Sequence, residues 1–280
     1  MEHQFTIFSL IFLGTSLISI FVAFLAWQRR KVRGAIELSR LTLSAGAWAF
    51  VAMFESAAVT VGDKVFMSQV AYIFATTTPV MYLLFVLRYV GIDRWMPLKY
   101  VFWLFLVPLI TLVAAFTNEY HHYIWTGFSE ISPATNLMEY HHGIWFWIGY
   151  FGYNYILQFV ATFLLFAFIF KQTYTYRRQG WVIVLAGLCP WAASVLYVSG
   201  SNPTPGLDIV PMSVVLSAML FFYGILYFKF LDLAPIAREA LVEELSDGIL
   251  ALDSQGRIQE INPAAIRYLG IETSKARGME

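Results

Sequence analysis

Seven long apolar runs separated by short polar stretches dominate the hydrophobic pattern of this sequence. They cover residues 5–27, 38–61, 65–90, 99–116, 144–170, 181–199 and 209–231. Each run has about the 20 residues that an α-helix needs to cross a hydrocarbon layer about 30 Å thick. The pattern therefore predicts an all-α membrane protein, built as a seven-transmembrane-helix bundle over residues 1–232.

A short charged helix is predicted directly after the last apolar run. Leu241, Leu245 and Ile249 recur with the i, i+4 spacing of one helix face, and acidic side chains fill the other faces. Gly248 indicates the end of this helix. We therefore expect residues 233–247 to form a helix that follows the membrane bundle.

The spacing changes from helical to strand-like after residue 248. Residues 249–252 are predicted to form a short buried strand, 253–256 a turn and 257–261 a returning strand. Asn262 followed by Pro263 is typical of a capped helix start. Residues 248–280 are therefore predicted to form a short α+β unit.

Composition agrees with a membrane location. Of the 280 residues, 59% are hydrophobic and only 13% are charged, whereas soluble domains have about 25% charged residues. A soluble core could not bury this much apolar surface. The single cysteine, Cys189, lies in an apolar run and has no disulfide partner within the chain.

The distribution of lysine and arginine predicts the orientation, because these residues accumulate in short cytoplasmic loops. When the loops are assigned alternately to the two sides, Lys64 stands alone on one side. The other side receives Arg29, Arg30, Lys31, Arg33, Arg40, Arg88, Arg94, Lys99, Lys171, Arg177, Arg178 and Lys229. The N-terminus and the long loop 117–143 are therefore predicted outside, together with all five histidines, and the C-terminus inside.

A family resemblance appears at the C-terminal junction. Residues 246–279, SDGILALDSQGRIQEINPAAIRYLGIETSKARGM, resemble the opening of a PAS domain. The preceding LDLAPIARE and the outer stretch HHYIW at 121–125 are similar to bacterial sensor histidine kinases that have an N-terminal seven-helix region. The resemblance implies a multi-pass receptor of the bacterial inner membrane, acting in a two-component system through a cytoplasmic PAS and kinase module.

The chain lacks the catalytic parts of such a kinase. A PAS domain needs about a hundred residues, and residues 246–280 supply about a third of them. No histidine on the predicted cytoplasmic side can accept phosphate, and there is no glycine-rich ATP-binding motif. We therefore expect no enzymatic activity from this chain alone. The output enzyme is expected in further sequence, as a histidine kinase or, alternatively, a diguanylate cyclase.

Polar side chains inside the apolar runs are candidates for a ligand site, because such groups are costly in a membrane and usually face the bundle interior. The candidate ligand-binding residues are Glu55, Gln69, Tyr72, Tyr150, Asn154 and Gln158. They predict an aromatic, mainly apolar pocket that opens outward and takes an unknown small molecule. The alternative is that these groups bond to one another and only fix helix packing.

The outer histidines offer a second candidate site. His121, His122, His141 and His142 lie near glutamates in the loop 117–143, which is a possible metal or proton-sensing set. Adjacent histidines on an extended segment point in opposite directions, so at most one of each pair would face a common ion. The alternative is an interfacial aromatic belt, or a lid over the pocket.

Two other classes of seven-helix membrane protein are retinal photoreceptors and transporters. A retinal Schiff base requires a lysine well inside a span, and the last run has only Lys229 at its end. Retinal is therefore not expected, and the sequence predicts no other cofactor and no nucleic-acid partner. A small-molecule transporter or channel remains an alternative, although neither an internal repeat nor a charge pair at mid-membrane is evident.

The predicted signal path leads from the last membrane helix into the charged helix. Its candidate residues are Pro235, Arg238, Leu241, Leu245 and Asp247. A ligand would act by favouring one of two packings of the bundle. The apolar face of the charged helix favours parallel pairing in a homodimer.

Overall fold

A computed structural model describes residues 2–92, 97–171, 174–202, 204–227, 245–252 and 258–270. The chain forms two compact units, Met1–Leu231 and Asp232–Glu280. The first unit ends one residue before the boundary predicted at 232. The prediction of a mostly helical membrane protein with a small C-terminal strand region is confirmed.

The first unit is a bundle of helices. In chain order they are α1 Ile7–Gln28, α2 Ala35–Ala57, α3 Val61–Val90, α4 Leu98–Leu104, α5 Leu106–Phe116, α6 Asn118–His121, α7 Tyr153–Ile169, α8 Tyr174–Val198 and α9 Ile209–Leu226. π-Helical turns at Phe146–Gly152 lead into α7. Six helical stretches in the described part of the chain are long and apolar enough to cross a membrane: Ile7–Gln28, Val61–Val90, Lys99–Phe116, Phe146–Ile169, Arg177–Val198 and Ile209–Leu226.

Helix α2 is the remaining one of the seven predicted spans, and it is more polar than the other six. At 23 residues it is about 34 Å long, which is enough to cross the layer. It packs against α1, α3 and α9. A Cβ atom on Gly46 would lie 3.1 Å from Ser19 Cβ of α1. Small residues thus let α1 and α2 approach closely, as is typical of membrane helices.

The connection between α2 and α3 differs from the prediction. Residues 62–64 separate two predicted apolar runs, but α3 already begins at Val61. Thr60 caps this helix, because its side-chain oxygen accepts a hydrogen bond from the Asp63 backbone N–H at 3.1 Å. Lys64 therefore lies in the first turn of α3 and is fully buried.

Residues 117–143, which we call the cap, close one end of the bundle. Strand β1, Trp125–Phe128, pairs antiparallel with β2, Tyr140–His142. Asn136 Nδ2 donates to the carbonyls of Ser56 at 3.0 Å and Ala58 at 3.1 Å. Since Gln4 also donates its backbone N–H to Ala57, the N-terminus and the cap are attached to the same end of α2.

The second unit has the predicted order of strand, strand and helix, and the turn predicted at 253–256 lies outside the described residues. Strand β3, Leu250–Leu252, pairs antiparallel with β4, Ile258–Ile261, and a helix follows at Pro263–Leu269. Asn262 Oδ1 accepts from the backbone N–H groups of Ala265 at 2.9 Å and Ile249 at 2.8 Å. One asparagine side chain therefore caps the helix and also bonds to the residue directly before β3.

The end of the predicted charged helix is corrected. Leu245 and Asp247 were placed inside it, but residues 246–247 form a bend, and Leu245 is exposed and outside any regular secondary structure. The Asp247 carbonyl instead accepts a hydrogen bond from Asn262 Nδ2 at 2.8 Å. The other three signal-path candidates, Pro235, Arg238 and Leu241, lie outside the described residues.

Candidate ligand-binding site

A deep cavity of about 200 Å³ lies inside the bundle beneath the cap. Side chains of α2, α3, α7, α8, α9, the π-helical turns and the cap line it. On α3 the lining extends from Ser68 to Tyr82, a distance of about 21 Å along the helix axis. The cavity is mainly apolar with a few polar groups, which is the usual character of a small-molecule site.

Seven aromatic rings form a continuous wall around the cap end of this cavity. Neighbouring ring centroids are 3.5 to 5.8 Å apart. In order of contact the rings belong to Tyr140, Trp125, Tyr72, Tyr150, Phe146, His142 and Tyr197, and all seven line the cavity. We call this set the aromatic wall. It joins residues from the cap to residues from three separate helical segments.

Glu55 contributes a carboxylate to the cavity lining near the aromatic wall. Its Oε1 accepts a hydrogen bond from the Tyr140 hydroxyl at 2.7 Å. Burial, followed by the Glu55 charge, raises the pKa of Tyr140 well above its usual range, so this phenol stays a donor. Lys64 Nζ donates to the Glu55 backbone carbonyl at 3.0 Å. The Lys64 charge also acts on the Glu55 carboxylate and partly offsets its negative charge.

Asp208 contributes the second carboxylate of the cavity and caps α9. Its Oδ1 accepts from the Val210 backbone N–H at 2.9 Å. The pKa of Asp208 is raised to about 7, because burial outweighs the opposing bond to Val210 and the Glu55 charge adds to the effect of burial. Within the described part of the chain, no lysine or arginine lines the cavity or forms an ion pair with Asp208.

His142 is the histidine that faces the cavity. Its ring stacks on Phe146 with centroids 3.5 Å apart, and its Nε2 lies 3.2 Å from the Tyr197 hydroxyl. Burial, together with the neighbouring His141, lowers the pKa of His142 to about 4. The His142 ring is therefore neutral at pH 7 and adds no positive charge to the cavity.

The deeper part of the cavity is built by hydrogen bonds between helices. Gln158 Nε2 of α7 donates to the Gly187 carbonyl of α8 at 3.0 Å. The Tyr82 hydroxyl of α3 donates to the Ile183 carbonyl of α8 at 3.3 Å. These bonds fix three helices relative to one another at the depth where the cavity ends.

Gly187→Ala is expected to destabilise the bundle at this depth. An added Cβ would collide with the Tyr82 hydroxyl and would lie 3.0 Å from Gln158 Nε2. Overpacking of this kind costs about 1–3 kcal/mol of unfolding free energy. Thermal unfolding in detergent measures the change, and Gly14→Ala in α1, with no atom near its added Cβ, is the control. Equal destabilisation by both substitutions would contradict the packing.

The structure brings most of the predicted ligand-site residues into one cavity. Glu55, Tyr72, Tyr150, Asn154 and Gln158 all line it. Gln69 is the exception: it is absent from the lining, and its Nε2 donates to the Ala115 carbonyl of α5 at 3.1 Å. Gln69 therefore serves helix packing, which was the alternative considered for it.

Several lining residues were not predicted from the sequence. Asp208 gave one usable signal, because an acidic residue directly before an apolar run lies at the membrane end of a helix. Trp125, Tyr140 and Tyr197 gave no separable signal in a chain that is 18% aromatic. Only the folding of the cap onto the bundle brings these rings together.

The four loop histidines do not come together. His122 and His141 are exposed, and His121 bonds locally to Thr117 through Nε2 at 3.0 Å. No three His, Cys, Asp or Glu side chains form a potential metal site among the residues that the structure describes. The 141–142 pair follows the expected alternation, since His141 faces outward and only His142 reaches the cavity.

These features define a helical membrane protein with a capped internal cavity, followed by a small α+β unit. A family model described as the N-terminal 7TM region of histidine kinase matches residues 11–235. The chain therefore belongs to this family of histidine kinase membrane regions. A PAS fold model matches residues 237–280, which confirms the predicted PAS start. A search of curated proteins finds no match.

Proposed function

We propose that this region is the sensor of a histidine kinase, and that it binds a small molecule in the capped cavity. Membership of the family of histidine kinase membrane regions supports a membrane sensor of a kinase. The observation that carries the proposal is the cavity itself, which reaches from the cap deep into the bundle. A sensor needs such a pocket on the side where the ligand arrives.

We assign the cap to the outside of the membrane, and the membrane to the bacterial inner membrane. The basic residues of the other loops support this orientation, because the positive-inside rule places them in the cytoplasm. Lys64, the one lysine at the cap end, is buried next to Glu55 and offers no exposed charge. The ligand then enters from outside the cell.

Helix α9 is the path by which the ligand changes the output. Asp208 caps its first turn, and Val214, Ser217 and Phe221 line the cavity along three further turns. The Ser217 hydroxyl donates to the Ala186 carbonyl of α8 at 2.6 Å. A ligand that prefers one packing of α9 against α8 shifts the population toward that packing. The path continues in our proposal through Pro235 and the charged helix of a homodimer.

Glu55→Gln and Asn154→Ala are expected to reduce ligand-dependent autophosphorylation of the complete kinase by about tenfold or more at subsaturating ligand. Both residues line the cavity. Gln69→Ala is the matched control, because Gln69 is a partly buried amide that bonds to α5 outside the lining. The measurement uses protein in nanodiscs and a defined panel of small cations, anions and neutral compounds.

Two results would contradict the proposal. Unchanged ligand dependence in both cavity variants would place the site elsewhere. Saturable uptake of the active compound into liposomes that contain residues 1–280 would indicate a transporter instead of a sensor.

A further inference from the structure

The charge balance of the cavity indicates which ligands it favours. Glu55 and Asp208 both line it, and their charges act on each other. Lys64 offsets Glu55, whereas Asp208 has only the neutral N–H of Val210 as a hydrogen-bond partner among the described residues. An anionic ligand would meet carboxylates and no basic side chain. A cationic ligand would supply the positive partner that Asp208 lacks among the described residues.

The aromatic wall points to the same ligand class. The face of an aromatic ring carries negative charge density, which attracts cations and most strongly those with weak hydration. Seven rings in mutual contact surround the cap end of the cavity, where both carboxylates lie. Quaternary ammonium ligands and protonated amines are commonly recognised between aromatic rings in this way.

Size and the remaining polar groups narrow the ligand further. A cavity of about 200 Å³ is slightly larger than the roughly 150 Å³ cavity that holds benzene. The Trp191 indole N–H lines the cavity and has no hydrogen-bond partner among the described residues. This donor can bond to a hydroxyl or ether oxygen on the same molecule.

We propose that the ligand is a small organic cation, a quaternary ammonium or a protonated amine, held by Asp208 and the aromatic wall. The inference rests on the proposed function, because it names the ligand class of the same site. Asp208 is the anchor because, of the two lining carboxylates, it has no basic neighbour among the described residues. It also caps α9, so the cation contacts the helix that carries the signal.

Calorimetric binding to the protein in nanodiscs at about pH 8 tests the proposal, with two matched pairs of probes. The cations are choline and 2-phenylethylamine. Their neutral counterparts of similar shape are 3,3-dimethyl-1-butanol and 2-phenylethanol. At least one cation is expected to bind about tenfold or more tightly than its neutral counterpart, since charge-assisted contacts form only with the cation.

Two substitutions locate the binding. Asp208→Asn keeps the cap of α9, because asparagine is an equally good N-cap residue, and it is expected to weaken cation binding about tenfold or more without affecting the neutral probes. Asp63→Asn, at the exposed start of α3 and outside the cavity lining, is the control. Tyr150→Leu removes one ring of the aromatic wall and is expected to weaken binding of the cations. Tyr150→Phe keeps the ring and is expected to keep their affinity.

Equal binding of each cation and its neutral counterpart would overturn the proposal, and so would failure of both cations to bind. Tighter binding of the anion 3,3-dimethylbutanoate would overturn it as well. If a neutral or anionic compound bound in the cavity and changed kinase output, the ligand class would be wrong and the proposed function would stand. A kinase output that no cavity substitution changes would contradict the proposed function itself.

Discussion

The Ala71→Trp substitution is expected to abolish measurable binding of the cationic probes. Ala71 lies on α3 and lines the cavity between Ser68 and Tyr72. An indole at this position fills most of a cavity of about 200 Å³ and leaves no room for a ligand of similar size. We expect the dissociation constant to rise beyond the measurable range, which is a larger loss than the roughly 1.4 kcal/mol of a tenfold change.

Ala192→Trp is the matched control for this substitution. Ala192 lies on an exposed face of α8 and does not line the cavity. The same increase in side-chain size there is expected to leave binding unchanged. Thermal unfolding of both variants in detergent shows whether they are folded. Normal binding by a folded Ala71→Trp variant would show that the cations bind outside the cavity.

Cation binding is expected to tighten by about tenfold between pH 6 and pH 8. Burial raises the pKa of Asp208 to about 7, so this carboxyl is mostly protonated at pH 6 and mostly ionised at pH 8. A cation binds the ionised form, and at low pH binding must first remove the proton. The affinity therefore falls as the pH drops below about 7 and levels off above it.

Other titratable groups face Asp208 and could in principle cause the pH dependence of cation binding instead. Glu55 and the phenols of Tyr72, Tyr150 and Tyr197 act on it electrostatically. His142, with a pKa of about 4, stays neutral throughout this range. Asp208→Asn is expected to remove the pH dependence, and 2-phenylethanol is expected to show none. A pH dependence that persists in Asp208→Asn would assign the titration to Glu55.

The sequence allowed the membrane spans to be predicted because a span must be long and apolar wherever it lies in the fold. Helix α2 shows the limit of this rule. It packs against three other helices, and its interior position permits Glu55 in a span, where this side chain lines the cavity. Helix α3 begins at Val61, before the apolar run predicted from residue 65, because the side chain of Thr60 caps its first turn.

The candidate site was partly predictable for a related reason. Polar groups in apolar runs, such as Glu55 and Asn154, had to face the interior, and the structure places both in one cavity. The same rule could not tell which neighbour Gln69 faces, and it bonds to α5. Asp208 and Tyr140 join the cavity only because the cap and the start of α9 fold over the same end of the bundle.

The most direct test of the account is the autophosphorylation of the complete kinase in liposomes, with the tighter-binding cation added only on the cap side. We expect a change in autophosphorylation that is half-maximal near the measured dissociation constant, is absent in Ala71→Trp and is retained in Ala192→Trp. Two results would contradict the account: an equal effect of the cation on autophosphorylation in Ala71→Trp and the wild type, or no effect of a cation that binds in the wild-type cavity.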